Sequence, residues 1–399
     1  VEGRGAHAAR LLTRAAPAER ELVLGVLRWQ LTLDHLLARH LKQRLPELDE
    51  QVRAVLRVGL YEAQRMRTPV PVAVAEAVRV AKNVAPRAAG LVNAVLRRAV
   101  EEPWPDPGDQ SVPLSIRHSH PEWLLRRWVA LLGEGMAEAA VAADQEAAPL
   151  CLLEAVSSCS GLAAAGCGLV PHPAVPGVAV VSAGAEVAVA ALQAGRAYAM
   201  DPTAVAVARL LPEVDGLTAD LAAAPGGKSL VLAGERETRL LATDRNLGRA
   251  LLMRRNLRLV KTPPGLVVAD AAAAPLRARS CAAVLLDAPC SGTGTLRRHP
   301  EIRWRLKPED LAMLAADQRR LAGSAAELVA PGGYLLYATC SLEPEENAGV
   351  LASLGLEPVP MARRLPPGLP SRELPSGGAV IPPSAAGDGF TVHLLRRPA

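Results

Sequence analysis

DLAAAPGGK, residues 220–228, is the stretch on which the fold turns. It follows a short apolar run, Leu217–Ala222, and opens a stretch of helical character. Two consecutive glycines let a backbone come close to a ligand, and a helix start offers N–H groups that have no partner within the helix. The pattern is neither GxGxxG nor the GxxxxGK[ST] of a P-loop. A Gly-Gly turn alone would be only a tight turn, so its weight comes from the runs on its C-terminal side. Apolar runs recur at Leu240–Thr243, Leu266–Ala269, Ala282–Leu286 and Tyr334–Ala338, each four or five residues long, with helical stretches between them. This is the signature of an α/β fold, a parallel sheet with crossover helices. Ligands of such sheets sit beyond the carboxyl ends of the strands, and Asp220, Asp244, Asp270, Asp287 and Cys340 all fall there.

The acids point to a nucleoside. At the end of the second run, Asp244 is placed to accept hydrogen bonds from both ribose hydroxyls. Asp270 ends the third run, where a side chain meets an adenine amino group. A single strand-end Asp is as readily a helix cap, but three in register after a Gly-rich turn favour a nucleoside cofactor.

Upstream the period changes. The segments Glu21–Leu31, Gln51–Gln64, Val72–Lys82 and Ala88–Val100 carry apolar residues at helical spacing. Pro69, Pro71 and Pro86 separate them, and Pro103, Pro105 and Pro107 end the set. A further helix runs from about Pro121 to Gly133. Residues 1–140 therefore read as an all-α bundle. Between Glu154 and Glu186 there is no Asp, Glu, Lys or Arg, but Pro171, Pro173, Pro176 and several glycines argue against a membrane span. Residues 141–200 read as a small α/β subdomain with a strand near Val178–Val181, and residues 201–399 as the sheet domain.

Composition narrows the class. Half of the 399 residues are hydrophobic, enough for a sizeable core, and aromatics are only 3%, with Phe390 the sole phenylalanine. An aromatic stacking platform for RNA is thus not expected. The six cysteines include no CxxC pair, which disfavours a disulfide scaffold or zinc ribbon; no metal is expected. No signal-like N-terminus and no unbroken apolar run of membrane-spanning length are present, so a cytoplasmic protein without a membrane partner is expected. The net charge is +5, but residues 1–100 hold 17 Lys and Arg against 9 Asp and Glu. A basic front half suits a polyanion.

Two cysteines stand apart. DAPCSGTGTLRRHPEIRW (287–304) contains Cys290, and YATCSLEPEEN (337–347) contains Cys340. A free cysteine is more often a small core residue, which suits Cys151, Cys159, Cys167 and Cys281. Cys290 and Cys340 instead sit in polar turns at the binding edge of the sheet.

With DLAAAPGGK, these motifs make the chain resemble the bacterial ribosomal RNA cytosine-5 methyltransferases of the Sun/Fmu type, within the NOL1/NOP2/Sun family. Gly387-Asp388-Gly389-Phe390 is also family-like, and LVLGVLRW (22–29), VRAVLRVGLYE (52–62) and GLVNAVLRR (90–98) resemble the NusB-like RNA-binding domain of that subfamily. The resemblance spans nearly the whole chain. Ala222 stands where the family usually has Cys, Met200-Asp201 replaces Gln-Asp, and LCLLEAVS (150–157) departs from the usual Arg-Val-Asn strand. Val1 falls inside what would be the first helical segment, so either a missing N-terminal helix or a misplaced start is expected.

The resemblance implies a Rossmann-like S-adenosylmethionine-dependent methyltransferase sheet, preceded by a NusB-like bundle and a small RNA-recognition subdomain. It implies methyl transfer to carbon 5 of a cytosine in 16S ribosomal RNA through a covalent Cys–cytosine intermediate. Cys340 would be the nucleophile and Cys290 the release group. Asp287 would hold the base, and Lys228 would favour thiolate formation. The cofactor would rest on Ala222, Ala223, Ala224, Pro225, Gly226, Gly227, Lys228, Asp244, Asp270 and Asp287. Arg297, Arg298 and Arg303 would meet RNA phosphates. A monomer is expected. The alternatives are methylation of transfer RNA or another RNA, a non-catalytic RNA-binding or antitermination protein, and a nicotinamide oxidoreductase. Both cysteine motifs disfavour the last two.

Overall fold

The computed structural model describes residues 8–12, 15–361 and 363–399; the expectation about the start at Val1 lies outside them. The chain divides into two compact units: residues 1–146 with 296–306, and residues 147–295 with 307–399.

The first unit is built from helices Pro17–Arg28, Gln30–Ala38, Glu50–Arg65, Val70–Val84 and Ala89–Ala99, followed by Glu122–Leu132 and Glu134–Ala143. The expected helix Glu21–Leu31 is two helices, because Trp29 leaves helical geometry at φ −106° and ψ 19°. Trp29 is buried, its ring centroid is 5.1 Å from that of Trp104, and the Arg65 guanidinium lies over both rings. In helix Glu50–Arg65 the Asp49 side chain caps the start by accepting from the Gln51 N–H, and Val52, Val55, Leu56 and Leu60 form the buried stripe.

Residues 296–306 belong to this unit through specific bonds. Arg303 Nη1 donates to the carbonyls of Arg28 (3.1 Å) and Ser119 (3.0 Å), Trp304 Nε1 donates to Leu27 O (2.6 Å), and Arg28 Nη2 donates to Arg297 O (3.1 Å). Arg297 and Arg303 are only 3% and 1% exposed. RNA contact was expected of both, and in the folded chain both side chains are buried rather than set on a solvated loop. Burial pulls Arg303 down to about 10, so it remains charged at neutral pH. Arg298 is half-buried.

The second unit begins with a small antiparallel sheet of Cys151–Leu153 (β1), Gly168–Pro171 (β2) and Val178–Ala183 (β3), with β3 in the centre. The large sheet follows: Leu217–Leu221 (β4), Arg239–Asp244 (β5), Gly265–Val268 (β6), Cys281–Asp287 (β7), Val329–Thr339 (β8), Glu357–Val359 (β9), Arg372–Glu373 (β10), Ala379–Ile381 (β11) and Phe390–Arg396 (β12). Its order is β10-β11-β12-β8-β7-β4-β5-β6, with β9 also paired to β12. Strands β4 to β8 pair in parallel, as their apolar runs predict, whereas β9 to β12 add antiparallel pairs. The sheet is therefore mixed rather than wholly parallel.

Alternation along β7 explains the layering. Val284 and Leu286 pack with Ala315, Ala322 and Ala325 of helix Asp310–Leu328. Ala283 and Leu285 pack on the other face with Ala204 and Val207 of helix Pro202–Arg209. A strand buried on both sides reads as a continuous apolar run. From β4 the chain steps outward to β5 and β6, then returns to β7 on the other side. The resulting switch point lies between β4 and β7, where ligands bind in open α/β sheets.

Candidate active site

Beyond β4 the chain makes the Gly-rich turn. Ala222 takes φ 57°, the Ala224–Pro225 peptide is cis, and Gly226 takes φ 100° before helix Gly227–Glu235. A Cβ on Gly226 would lie 2.9 Å from Met253 Cγ in a conformation side chains resist, so glycine is required there. The Ala223 N–H donates to Thr243 O (2.8 Å), fastening the turn to β5.

Asp244 is 1% exposed. Its Oδ1 accepts from Asn246 N–H (2.8 Å); its Oδ2 is buried without a hydrogen bond, with the Arg249 guanidinium 3.5 Å away. Asp270 Oδ1 accepts from Ala272 N–H (2.9 Å), and its Oδ2 lies 3.7 Å from Arg320. A cleft of about 150 Å³ is lined by Ala222, Asp244, Arg245, Asp270 and Pro289, among others. A buried acceptor oxygen without a donor, aligned on a strand end beside a Gly-rich turn, fits a ribose hydroxyl. The residues thus fit the nucleoside of S-adenosylmethionine.

Across the switch point, Lys228 Nζ lies 2.6 Å from Asp287 Oδ2 and 5.1 Å from the Phe390 ring centre. Burial works against the ammonium, but the Asp287 carboxylate outweighs it and holds Lys228 above the ordinary lysine range. Its hydrogen-bond partner is thus Asp287. Beside it, Asp220 is fully buried, and burial raises its carboxyl to about 7 despite a hydrogen bond from Ser229 Oγ.

Cys290 and Cys340 meet with their sulfurs 3.3 Å apart. The hydrogen bond with Cys340, together with burial, pushes the Cys290 thiol well above the usual range. Cys340 follows β8 directly, whereas Cys290 sits three residues beyond the end of β7. The two turns are pinned to each other: Gly294 N–H donates to Cys340 O (2.8 Å), Gly389 N–H to Gly294 O (2.7 Å), and Leu342 N–H to Thr293 Oγ1 (3.1 Å). Asp201 accepts from Thr203 N–H (2.9 Å) at its own helix start and from Asp388 N–H, which seats the Gly387–Phe390 turn.

One group here carries no role assigned from sequence. Glu346, within YATCSLEPEEN, is wholly buried. Its carboxylate accepts from Ser291 N–H (2.8 Å), Gln318 Nε2 (2.9 Å) and the hydroxyls of Ser291 and Ser341. The acid-rich stretch could have flagged it, but Gln318 sits in an ordinary helical run with no signal. Among the described residues no group of three or more His, Cys, Asp or Glu is arranged to hold a metal, and no helix is long and apolar enough to cross a membrane.

Comparison with known proteins gives the family. Residues 207–395 match the family model described as 16S rRNA methyltransferase RsmB/F, and residues 6–101 match the NusB family. The chain is 35% identical over 398 residues to "Ribosomal RNA small subunit methyltransferase B" of Thermus thermophilus, covering 97% of this chain and 92% of that protein. It is 30% identical over 395 residues to the protein of the same name from Vibrio cholerae, covering 95% and 88%. The solved structure of PH0851 shares the fold with a TM-score of 0.74 at 24% identity, covering 98% of this chain and 93% of that one. This protein belongs to the RsmB/F family of 16S rRNA methyltransferases, which are S-adenosylmethionine-dependent enzymes.

Proposed function

We propose that this chain methylates carbon 5 of a cytosine in small-subunit ribosomal RNA through a covalent bond between Cys340 and the base. The observation that carries the reading is the pair of thiols 3.3 Å apart at the carboxyl edge of the sheet. Carbon 5 of cytosine is a poor nucleophile. Addition of the Cys340 thiolate to carbon 6 forms an S–C bond and pushes electron density to carbon 5. Asp287, held by Lys228, meets the N3 and amino edge of the base, and the Lys228 ammonium beside it offsets the negative charge building there. Bound on the Gly-rich turn, Asp244 and Asp270, S-adenosylmethionine supplies an electrophilic methyl group. Transfer of the carbon 5 proton to solvent then restores the ring double bond and breaks the S–C bond, with Cys340 leaving as its thiolate. Cys290 belongs to this release stage. Burial and the hydrogen bond shared with Cys340 favour the protonated form of Cys290, which supports reading the two thiols in different roles.

The target base leaves its stack to reach this edge. The basic bundle of residues 1–140 supplies RNA affinity, and the enzyme works as a cytoplasmic monomer. The test uses the whole chain, S-adenosylmethionine and small-subunit RNA lacking base methylation, with the RNA digested to nucleosides for mass spectrometry. The expected product is 5-methylcytidine. Methylation of another atom, or of transfer RNA alone, contradicts the reading.

A further inference from the structure

Ser291 directly follows Cys290, and Ser341 directly follows Cys340. Both serines donate to one carboxylate, that of Glu346, which lies among buried groups with no exposed surface. The fourth donor, Gln318 Nε2, also donates to Pro289 O (2.9 Å), the carbonyl just before Cys290. Building on the reading that the two thiols act in turn on one ring, we infer that Glu346 is a positioning residue that sets the distance between the Cys290 and Cys340 sulfurs.

The reason is electrostatic economy in a dry place. A buried carboxylate is tolerated only when its oxygens are filled by donors, and each such bond is stronger than a neutral one. Here Ser291 belongs to the Cys290 turn and Ser341 to the Cys340 turn. Gln318 braces the residue before Cys290. Sliding either turn breaks a charge-assisted bond and leaves a buried group unsatisfied. The negative charge itself raises the Cys290 thiol, so it does not serve ionisation of that group. Its contribution is geometric.

A glutamine at 346 keeps an oxygen for Ser291 N–H and Gln318, and its amide NH₂ meets two hydroxyls that can turn to accept. An alanine leaves all of these donors empty. Glu346→Ala should therefore lower kcat about a hundredfold, the scale of an ångström-level misplacement, while S-adenosylmethionine affinity by calorimetry stays within about twofold. Glu346→Gln should recover most of the loss. A second measurement reads the sulfur geometry without catalysis. Oxidised glutathione takes two electrons from the thiol pair, whose protons leave with the two glutathione thiols formed, and Cys290 and Cys340 join as a disulfide. Peptide mapping should find that bond forming fast in the wild type and in Glu346→Gln, and much more slowly in Glu346→Ala.

Wild-type rates of turnover and cross-linking in Glu346→Ala overturn the inference. So does a loss of kcat that runs in step with lost cofactor affinity and a lower melting temperature. Should Glu346→Ala not fold, Ser341→Ala removes one strut, and both rates should still fall; unchanged rates there also overturn it. Failure of the two-thiol chemistry would look different. The single-cysteine variants would then remain active, while cross-linking would still report what Glu346 holds.

Discussion

At the end of β4, the Asp220 carboxyl is sealed from water, and burial raises it to about 7. In the unfolded chain a carboxyl titrates near ~3.9. Between those values the folded state holds a proton that the unfolded state has released, so stability falls as pH rises from about 4 to about 7. Asp220→Asn keeps an acceptor for Ser229 Oγ and removes the titration. Urea unfolding should show the variant gaining on the wild type as pH climbs through that window, and parallel profiles would contradict the assignment. The Asp244 Oδ2 oxygen leads to a second expectation. Asp244→Ala should weaken S-adenosylmethionine binding by about 1–3 kcal/mol in calorimetry, the worth of hydrogen bonds to a charged group; unchanged affinity would remove that strand end from the site. The strand-end positions of Asp244, Asp287, Cys290 and Cys340 were legible because each lies at or just past the end of a continuous apolar run, the pattern of a strand buried on both faces. The burial of Arg297 and Arg303 was not legible. It depends on carbonyls and guanidinium groups that lie 269, 275 and 184 residues away in the pairs concerned.

Among the elements, the turn after β7 and the turn before β12 touch backbone to backbone. A Cβ on Gly294 would lie 2.2 Å from Gly389 O, far inside contact distance. Gly294→Ala should therefore cost about 1–3 kcal/mol of stability, as overpacking does, and should lower kcat as well, because Gly294 also donates to Cys340 O. Thermal melting and single-turnover assays check this, and a variant melting and turning over as the wild type does would show that the turn yields freely. The parallel strands β4 to β8 were readable from their apolar runs. The antiparallel pairing of β12 beside β8 was not, because pairing partners are chosen by tertiary fit rather than local pattern. The division of Glu21–Leu31 at Trp29 escaped for a similar reason: its periodicity continues across a residue that leaves helical geometry, with Trp104 and Arg65 packed against its ring.

For the whole molecule, the placement of residues 296–306 in the first unit changes what a truncation does. A chain of residues 147–399 keeps that segment but loses Arg28, Leu27 and Ser119, which hold it. It should still bind S-adenosylmethionine, become open to protease near Arg297–Arg305, and lose RNA affinity most at low salt. The last effect follows because residues 1–100 carry a net charge of +8. Full protease resistance of that segment, or undiminished RNA binding, would contradict this. The covalent route itself is tested most directly by denaturing electrophoresis of the full chain with labelled RNA. Attack precedes methyl transfer, and release follows both. Cys290→Ala should therefore accumulate a protein–RNA species that depends on S-adenosylmethionine, while Cys340→Ala and the double variant form none. An adduct persisting in Cys340→Ala and absent in Cys290→Ala would exchange the two roles, and full activity in both single variants would contradict covalent catalysis by this pair.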